Sequence, residues 1–358
     1  MSSGGETWQR WPNNKQLCAA DAARVRFNTL LDLVPADDAP FLLPVHPDAD
    51  ARRAMSYRQL HQLAQAVRSS PALAGLTAGA RVAACLPNGP EAASCFMALA
   101  GSYAFAPLNL NLCAQDMEFE LGNVPAAAVI VLASVPGPGA AARAAAVSLG
   151  IRIIELLPDA DICGLFSLQG CGQHTEGVVS GSADSCAQVP ATTTSGRDAL
   201  ALVMHTSGTT RRPKVVPLTH GQLGIGALCA ASTLQLRRDA VAINLMPLFH
   251  LHGLMVNVLV TAVSGARVMC APRFDAPLFF RWLQPALCNA RKANESGLTD
   301  EGSASPAPTW YSAVPTIHQE VLRYAESQLQ RTGRHPPHSL QLVRNCSGMG
   351  TFRLNLTA

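Results

Sequence analysis

The 358 residues carry 48% apolar and 14% charged side chains and a formal net charge of +3. That balance supports a sizeable core and excludes wholesale disorder. With no long basic run it gives no case for nucleic acid as a partner.

Eleven cysteines are scattered without a CxxC pair, and no His partner stands at zinc spacing, so no metal site is expected. The start, "MSSGGETWQRWPNNK", lacks the apolar centre of a signal peptide. No apolar run reaches the ~20 residues of a membrane span. The expectation is an intracellular protein with reduced thiols and no transmembrane segment.

Residues 1–54 read as irregular, with "LVPADDAP" and "PVHPDAD" as turn-rich pieces. From residue 55 a pattern begins. Leu60, Leu63, Ala64 and Val67 fall on one helical face. "GARVAACLPN" predicts a buried strand, and "PEAASCFMALAG" a helix with Pro90 in its first turn. A helix starting at 118–122 and a strand in "AAAVIVLA" follow. Such α/β alternation with apolar strands predicts helix-covered, mostly parallel sheets.

Residues 159–198, rich in Gly, Ser and Thr, read as a flexible linker between a first α/β subdomain (55–158) and a second (199–347). A polar insert occupies 289–308 and a divergent tail 348–358. In the second subdomain "ALALVMH" reads as a strand, 206–217 as a loop, and the stretch after Thr219 as a helix with that residue as N-cap. Further strands are expected in "AVAINLM", "ARVMCAP", "TWYSAV" and "LQLVRNCS". Helices are expected over 253–264, over 276–287 and from Pro315.

The chemistry concentrates in "TSGTTRRPKVV". A Gly/Ser/Thr-rich loop between strand and helix turns backbone N–H groups and hydroxyls toward phosphate oxygens. Lys214, one of only three lysines, would supply the charge. The spacing is not GxxxxGK[ST], which argues against a kinase- or GTPase-type loop.

These residues resemble the signature of the acyl-adenylate-forming superfamily, which includes the acyl-CoA synthetases. Thr206, Ser207, Gly208, Thr209, Thr210, Pro213 and Lys214 match it. "SYRQLHQLA", the stretch from "GARVAACLPN" to "APLNLN", and "MPLFHLHGL" are similar to further family elements in the same order. "WYSAVPTIHQEVL" and "RNCSG" resemble the oxalate–CoA ligase and peroxisomal CoA-synthetase-like branch.

The resemblance implies the family's large N-terminal domain. It also implies ATP, Mg²⁺ and CoA as co-substrates and a small carboxylic acid activated through acyl-AMP to a thioester. Thr206, Ser207, Gly208, Thr209, Thr210 and Lys214 would hold the ATP phosphates, His250 would line the acyl pocket, and Ser347 would border adenine or acyl group.

Departures qualify this. Arg211 and Val215 stand where the family has glycines, and a β-branched residue cannot take a positive φ without strain. After "RNCSG" the sequence leaves the family pattern. The Mg²⁺-binding glutamate and the catalytic lysine are then expected to be absent, with only the first two subdomains present. Two alternatives stay open: an acid–CoA ligase chain of reduced activity, or a non-catalytic nucleotide-binding or regulatory chain associating with a full-length homologue. The expected compartment is cytoplasm or peroxisome, and "NLTA" is no peroxisomal address.

Overall fold

The apolar spacing at Leu60, Leu63, Ala64 and Val67 becomes the buried stripe of a helix, Tyr57–Arg68. Ser56 caps it: its Oγ accepts the Gln59 N–H at 3.2 Å, and Gln59 Oε1 accepts the Ser56 N–H at 2.8 Å. Such a reciprocal box satisfies two otherwise orphaned donors. The computed structural model describes residues 19–45, 50–133, 137, 139–171, 196–206, 213–284 and 306–345.

Among these residues two sheets form. The seven-stranded one contains β3 (Arg81–Cys85), β4 (Ala104–Pro107), β5 (Ala128–Leu132), β6 (Arg152–Pro158), β7 (Phe166–Gly170), β8 (Leu200–Thr206) and β9 (Lys214–Thr219). Its order is β7-β6-β5-β3-β4-β8-β9. The interior pairs are parallel, and the two outermost, β6 with β7 and β8 with β9, are antiparallel. The six-stranded one contains β1 (Pro40–Leu43), β2 (Met55–Ser56), β10 (Val241–Asn244), β11 (Arg267–Cys270), β12 (Trp310–Ala313) and β13 (Leu342–Asn345). Its order is β13-β12-β10-β11-β1-β2, parallel except for β1 with β2.

Strand alternation sorts the core. Val82 and Ala84 of β3 join the same cluster as Ala242 of β10 and Val268 of β11, together with helices Tyr57–Arg68, Pro90–Leu99 and His220–Leu234. Ala83 and Cys85 point the other way, into a cluster with Met117, Leu121 and Ala145. Val241 and Ile243 point into a third, with Phe279, Tyr311 and Val321. The two sheets therefore share one apolar layer and each carries a second on its far face. Period-two placement in strands buried on both faces produces this arrangement.

The observed fold corrects three expectations. Residues 1–54 are not uniformly irregular: a helix (Ala19–Arg24), a 3₁₀ turn (Leu30–Leu33) and β1 lie within them. The segment 159–198 contains β7, which pairs with β6 through Leu156↔Leu168; 172–195 lie outside the described residues. The boundary drawn there does not separate the sheets either. β8 and β9 complete the sheet of the first half, and β1 and β2 complete that of the second. The chain crosses over because β4 offers an unpaired edge that β8 fills in parallel, Phe105 beside Leu202. The polar insert 289–308 and the tail 348–358 lie outside the described residues, except for 306–308.

Candidate functional site

The loop of interest is the tip of a hairpin. β8 and β9 pair from Leu200↔Thr219 to Thr206↔Lys214. The expected strand–loop–helix is thus strand–loop–strand–helix, and 214–217 belong to a strand. Pro217 hid this, since proline cannot donate to a ladder; it is tolerated because β9 is an edge strand. Val215 sits opposite His205 in the ladder with no positive φ. The strain expected of a β-branched residue there does not arise. Thr219 caps the following helix, its Oγ1 accepting the Gln222 N–H at 3.2 Å.

Ser207, Gly208, Thr209, Thr210, Arg211 and Ser347 lie outside the described residues. The hairpin does fix where the loop starts and stops. Thr206 and Lys214 face each other across its base, and the Lys214 side chain is exposed there.

Beneath that base His205 Nδ1 stands 3.6 Å from Glu120 Oε2. Burial pushes the Glu120 carboxyl up to about 7, with Asp116 adding to it. Burial also lowers the His205 pKa. Both groups favour their neutral forms, so the contact is not an ion pair below pH 7 despite its short distance.

A cavity of about 480 Å³ opens where strands of both sheets end. Leu86, Pro107, Pro247, Phe249, Arg273 and Phe274 are among its walls. Crevices at the carboxyl ends of parallel strands are where open α/β folds bind ligands. Asn88 holds the two rims together. Its Oδ1 accepts the Leu248 N–H at 2.8 Å, and its amide donates to Ala271 O at 2.7 Å and Met246 O at 3.3 Å.

His250 is exposed at this rim, its ring 4.4 Å from that of Phe249. Desolvation by the protein behind it still lowers its pKa. The structure therefore puts Lys214 at one loop base and His250 beside the cavity wall.

Residues that sequence reasoning set aside form a second polar group. A π-helix, His252–Leu259, starts directly after His250 and Leu251. Such helices are rare and recur at functional sites. Asn257, on that helix, donates to Asn244 Oδ1 at 2.7 Å and to Ser312 O at 3.2 Å. His252 lies near Arg344 and His318, and burial first, then Arg344, lowers its pKa to about 4. His318 contacts the Tyr311 hydroxyl at 2.9 Å and Ala313 O at 3.1 Å. The one signal available in advance was an asparagine inside the apolar run "GLMVNVLVTAV".

The family model of AMP-binding enzymes matches residues 36–293. The chain belongs to the AMP-binding enzyme family. Among curated relatives it is similar to a probable CoA ligase, CCL9, of Humulus lupulus, at 31% identity over 82% of this chain and 49% of that protein. It is also similar to an oxalate–CoA ligase of Arabidopsis thaliana, at 31% identity over 82% of this chain and 50% of that protein.

Among solved structures, the inhibitor-bound N-terminal domain of FACL13 from Mycobacterium tuberculosis aligns with a TM-score of 0.60 at 21% identity, over 88% of this chain and 69% of that one. ATP-bound MatB from Rhodopseudomonas palustris aligns at 0.59 and 23% identity, over 88% of this chain and 53% of that one. These likenesses establish the fold, that of the N-terminal domain of adenylate-forming enzymes. The chain spans about half the length of the curated relatives it matches. No described helix is long and apolar enough to cross a membrane.

Proposed function

We propose that this chain supplies the nucleotide- and acid-binding part of an acid–CoA ligase, with oxalate or another small acid as substrate. The observation that carries the reading is the hairpin that sets Lys214 opposite Thr206 at the base of the Ser/Thr-rich loop. A loop pinned at both ends can wrap a triphosphate, and an exposed ammonium at its base offsets phosphate charge. In this reading Thr206, Ser207, Gly208, Thr209, Thr210 and Lys214 hold the β- and γ-phosphates of ATP·Mg²⁺. The acid enters the cavity beside His250, its carboxylate attacks the α-phosphate, pyrophosphate leaves, and CoA thiol then displaces AMP. Ser347 borders the adenine or acyl end.

Displacement at phosphorus depends on positioning and charge more than on covalent help. Lys214 and the loop supply the charge, and the cavity supplies the positioning. The test is calorimetric titration of ATP·Mg²⁺ into the wild-type chain and Lys214→Ala. The reading expects affinity to fall at least tenfold in the variant; unchanged affinity overturns it.

A second reading starts from Arg211, which stands where the family signature has a glycine. In it the chain binds nucleotide without turnover, as a non-catalytic or regulatory product acting beside a full-length homologue. Pyrophosphate release with oxalate as acid separates the two: release supports the ligase, and binding without release supports the non-catalytic chain.

A further inference from the structure

His205 precedes Thr206 in β8, at the base where Thr206 faces Lys214, and pairs with Val215 in the ladder. Period-two alternation turns it to the same face as Val203, toward the cluster that holds Cys85, Met117 and Leu121. Helix Ala114–Asn123 covers that face and brings Glu120 with it. His205 Nδ1 and Glu120 Oε2 stand 3.6 Å apart, their side chains only 8% and 13% exposed. Both ring nitrogens of His205 lack a hydrogen-bond partner among the described residues.

A buried imidazole with neither nitrogen satisfied calls for a physical reason. Its surroundings suit the handling of a proton. The other titratable groups around the pair are Asp116 on the same helix, the Cys85 thiol on β3, and Lys214 on β9. Burial keeps Glu120 protonated up to about pH 7, and the negative charge of Asp116 adds to this. Burial first, and then Glu120, push the Cys85 thiol up to about 12, so the thiol takes no part near neutrality. Lys214 is exposed, beyond Val215 in the ladder.

In the free chain burial keeps the imidazole neutral. Around pH 7 the pair therefore holds either one proton, on Glu120, or none. A polyphosphate at the loop base changes that balance. The Cα atoms of His205 and Thr206 are neighbours, about 3.8 Å apart. An anion seated at Thr206 thus lies within a Debye length, ~8–10 Å, of the ring. It repels a bare Glu120 carboxylate and attracts an imidazolium. Both effects retain a proton on the pair and draw it to the ring, where Nδ1 gains a charge-assisted partner in Glu120.

We propose that His205 is a positioning residue for the nucleotide: a polyphosphate at the Thr206–Lys214 base fixes one proton on the His205–Glu120 pair and turns it into an imidazolium–carboxylate pair beneath the phosphates. The inference rests on the reading of Lys214 and its loop as the phosphate site, and adds a proton to that binding step. Below pH 7 the proton passes from the Glu120 carboxyl to His205 Nδ1. Above pH 7 it comes from solvent. No other bond forms or breaks.

Calorimetric titration of ATP·Mg²⁺ into the full chain, with Mg²⁺ in excess and in two buffers of different ionisation enthalpy, counts the protons taken up. The expected uptake is about one proton per nucleotide at pH 8 and close to none at pH 6. Affinity should fall roughly fivefold from pH 7 to pH 8, as linkage to a single group of pKa about 7 requires. The ¹⁵N shifts of the His205 ring should move to imidazolium values with nucleotide bound and stay at neutral values without it. Glu120→Gln keeps the shape of the protonated side chain and removes the exchangeable proton. It should still bind ATP·Mg²⁺, with no uptake at pH 8 and a flat pH dependence; a thermal melt establishes that it folds. Binding without proton uptake at pH 8 overturns the proposal, as does uptake that persists in folded Glu120→Gln, or a ring that stays neutral with nucleotide bound. Failure of the wild-type chain to bind ATP·Mg²⁺ at either pH strikes the reading of the loop itself, and this inference with it.

Discussion

Asn88 Oδ1 accepts the backbone N–H of Leu248 at 2.8 Å, across 160 residues of chain and from one sheet's rim to the other's. The same side chain donates to the carbonyls of Ala271 and Met246. One short amide thus sets the spacing of the cavity walls. Asn88→Ala removes three hydrogen bonds and takes their side-chain partner from Leu248 N–H and Ala271 O, while Met246 O keeps the Asn244 amide at 2.9 Å. We expect a loss of about 2–3 kcal/mol, following the cost of unpaired part-buried groups. It should be read as a lower urea midpoint with an unchanged slope. An unshifted midpoint would show that the rims are held by apolar packing alone.

Glu120 makes a stability term that fades with alkali. Its folded pKa of about 7 lies above the unfolded value of 4.5, so the native state holds a proton that the unfolded chain releases. The contribution is whole below pH 4.5 and is lost as the pH rises through about 7. Its side chain is 13% exposed, so the shift is not screened away. Glu120→Gln should therefore exceed the wild type in stability above pH 7, by an amount on the order of 3 kcal/mol. Urea titrations at pH 5 and pH 8 test this, and a difference that does not grow with pH would contradict it.

His220 works in the opposite sense. Burial pushes its pKa from 6.5 to about 4, and its Nδ1 accepts the Leu30 N–H at 3.2 Å, which requires the neutral ring. The unfolded chain takes up a proton between pH 6.5 and 4 that the native state refuses. Stability should then fall as the medium is acidified across that window, by about 3 kcal/mol in all. His220→Gln should flatten this acid limb relative to the wild type. An equally steep limb would place the acid sensitivity elsewhere.

Two glycines offer a matched contrast. A Cβ on Gly253 would come within 2.6 Å of Pro247 O, a backbone atom that cannot swing aside. A Cβ on Gly226 would meet only the Cε of Met255, at 2.5 Å, the movable end of a flexible chain. Gly253→Ala should cost about 1–3 kcal/mol by overpacking, and Gly226→Ala markedly less. Denaturation of both variants decides it; equal losses would mean that the loop before the π-helix yields as easily as a methionine methyl.

Much of the fold was legible because local and tertiary preferences agree. The stripe Leu60–Leu63–Ala64–Val67, the strand Arg81–Cys85 and the Thr219 cap each form as their residues predict. β9 was illegible because Pro217 and the adjoining loop mask a strand stabilised by its partner β8. β7 was illegible because "FSLQG" leads into a Gly- and Ser-rich stretch and gains its structure from β6. Lys214 and His250 could be singled out from motifs. The row Asn244–Ser312–Arg344 could not, since three strands far apart in sequence meet only through their register. The π-helix leaves no period of its own in the apolar run that forms it.

The pairing of Leu42 with Val268 ties the schedule of synthesis to the architecture. A strand made among the first fifty residues must wait for one that emerges more than two hundred residues later. At ribosomal speeds of about 5–20 residues per second that is a delay of roughly ten seconds to a minute. Throughout it the greasy segment Phe41–Leu43 has only the short β2 and the Tyr57 ring for company, and its other edge stays bare.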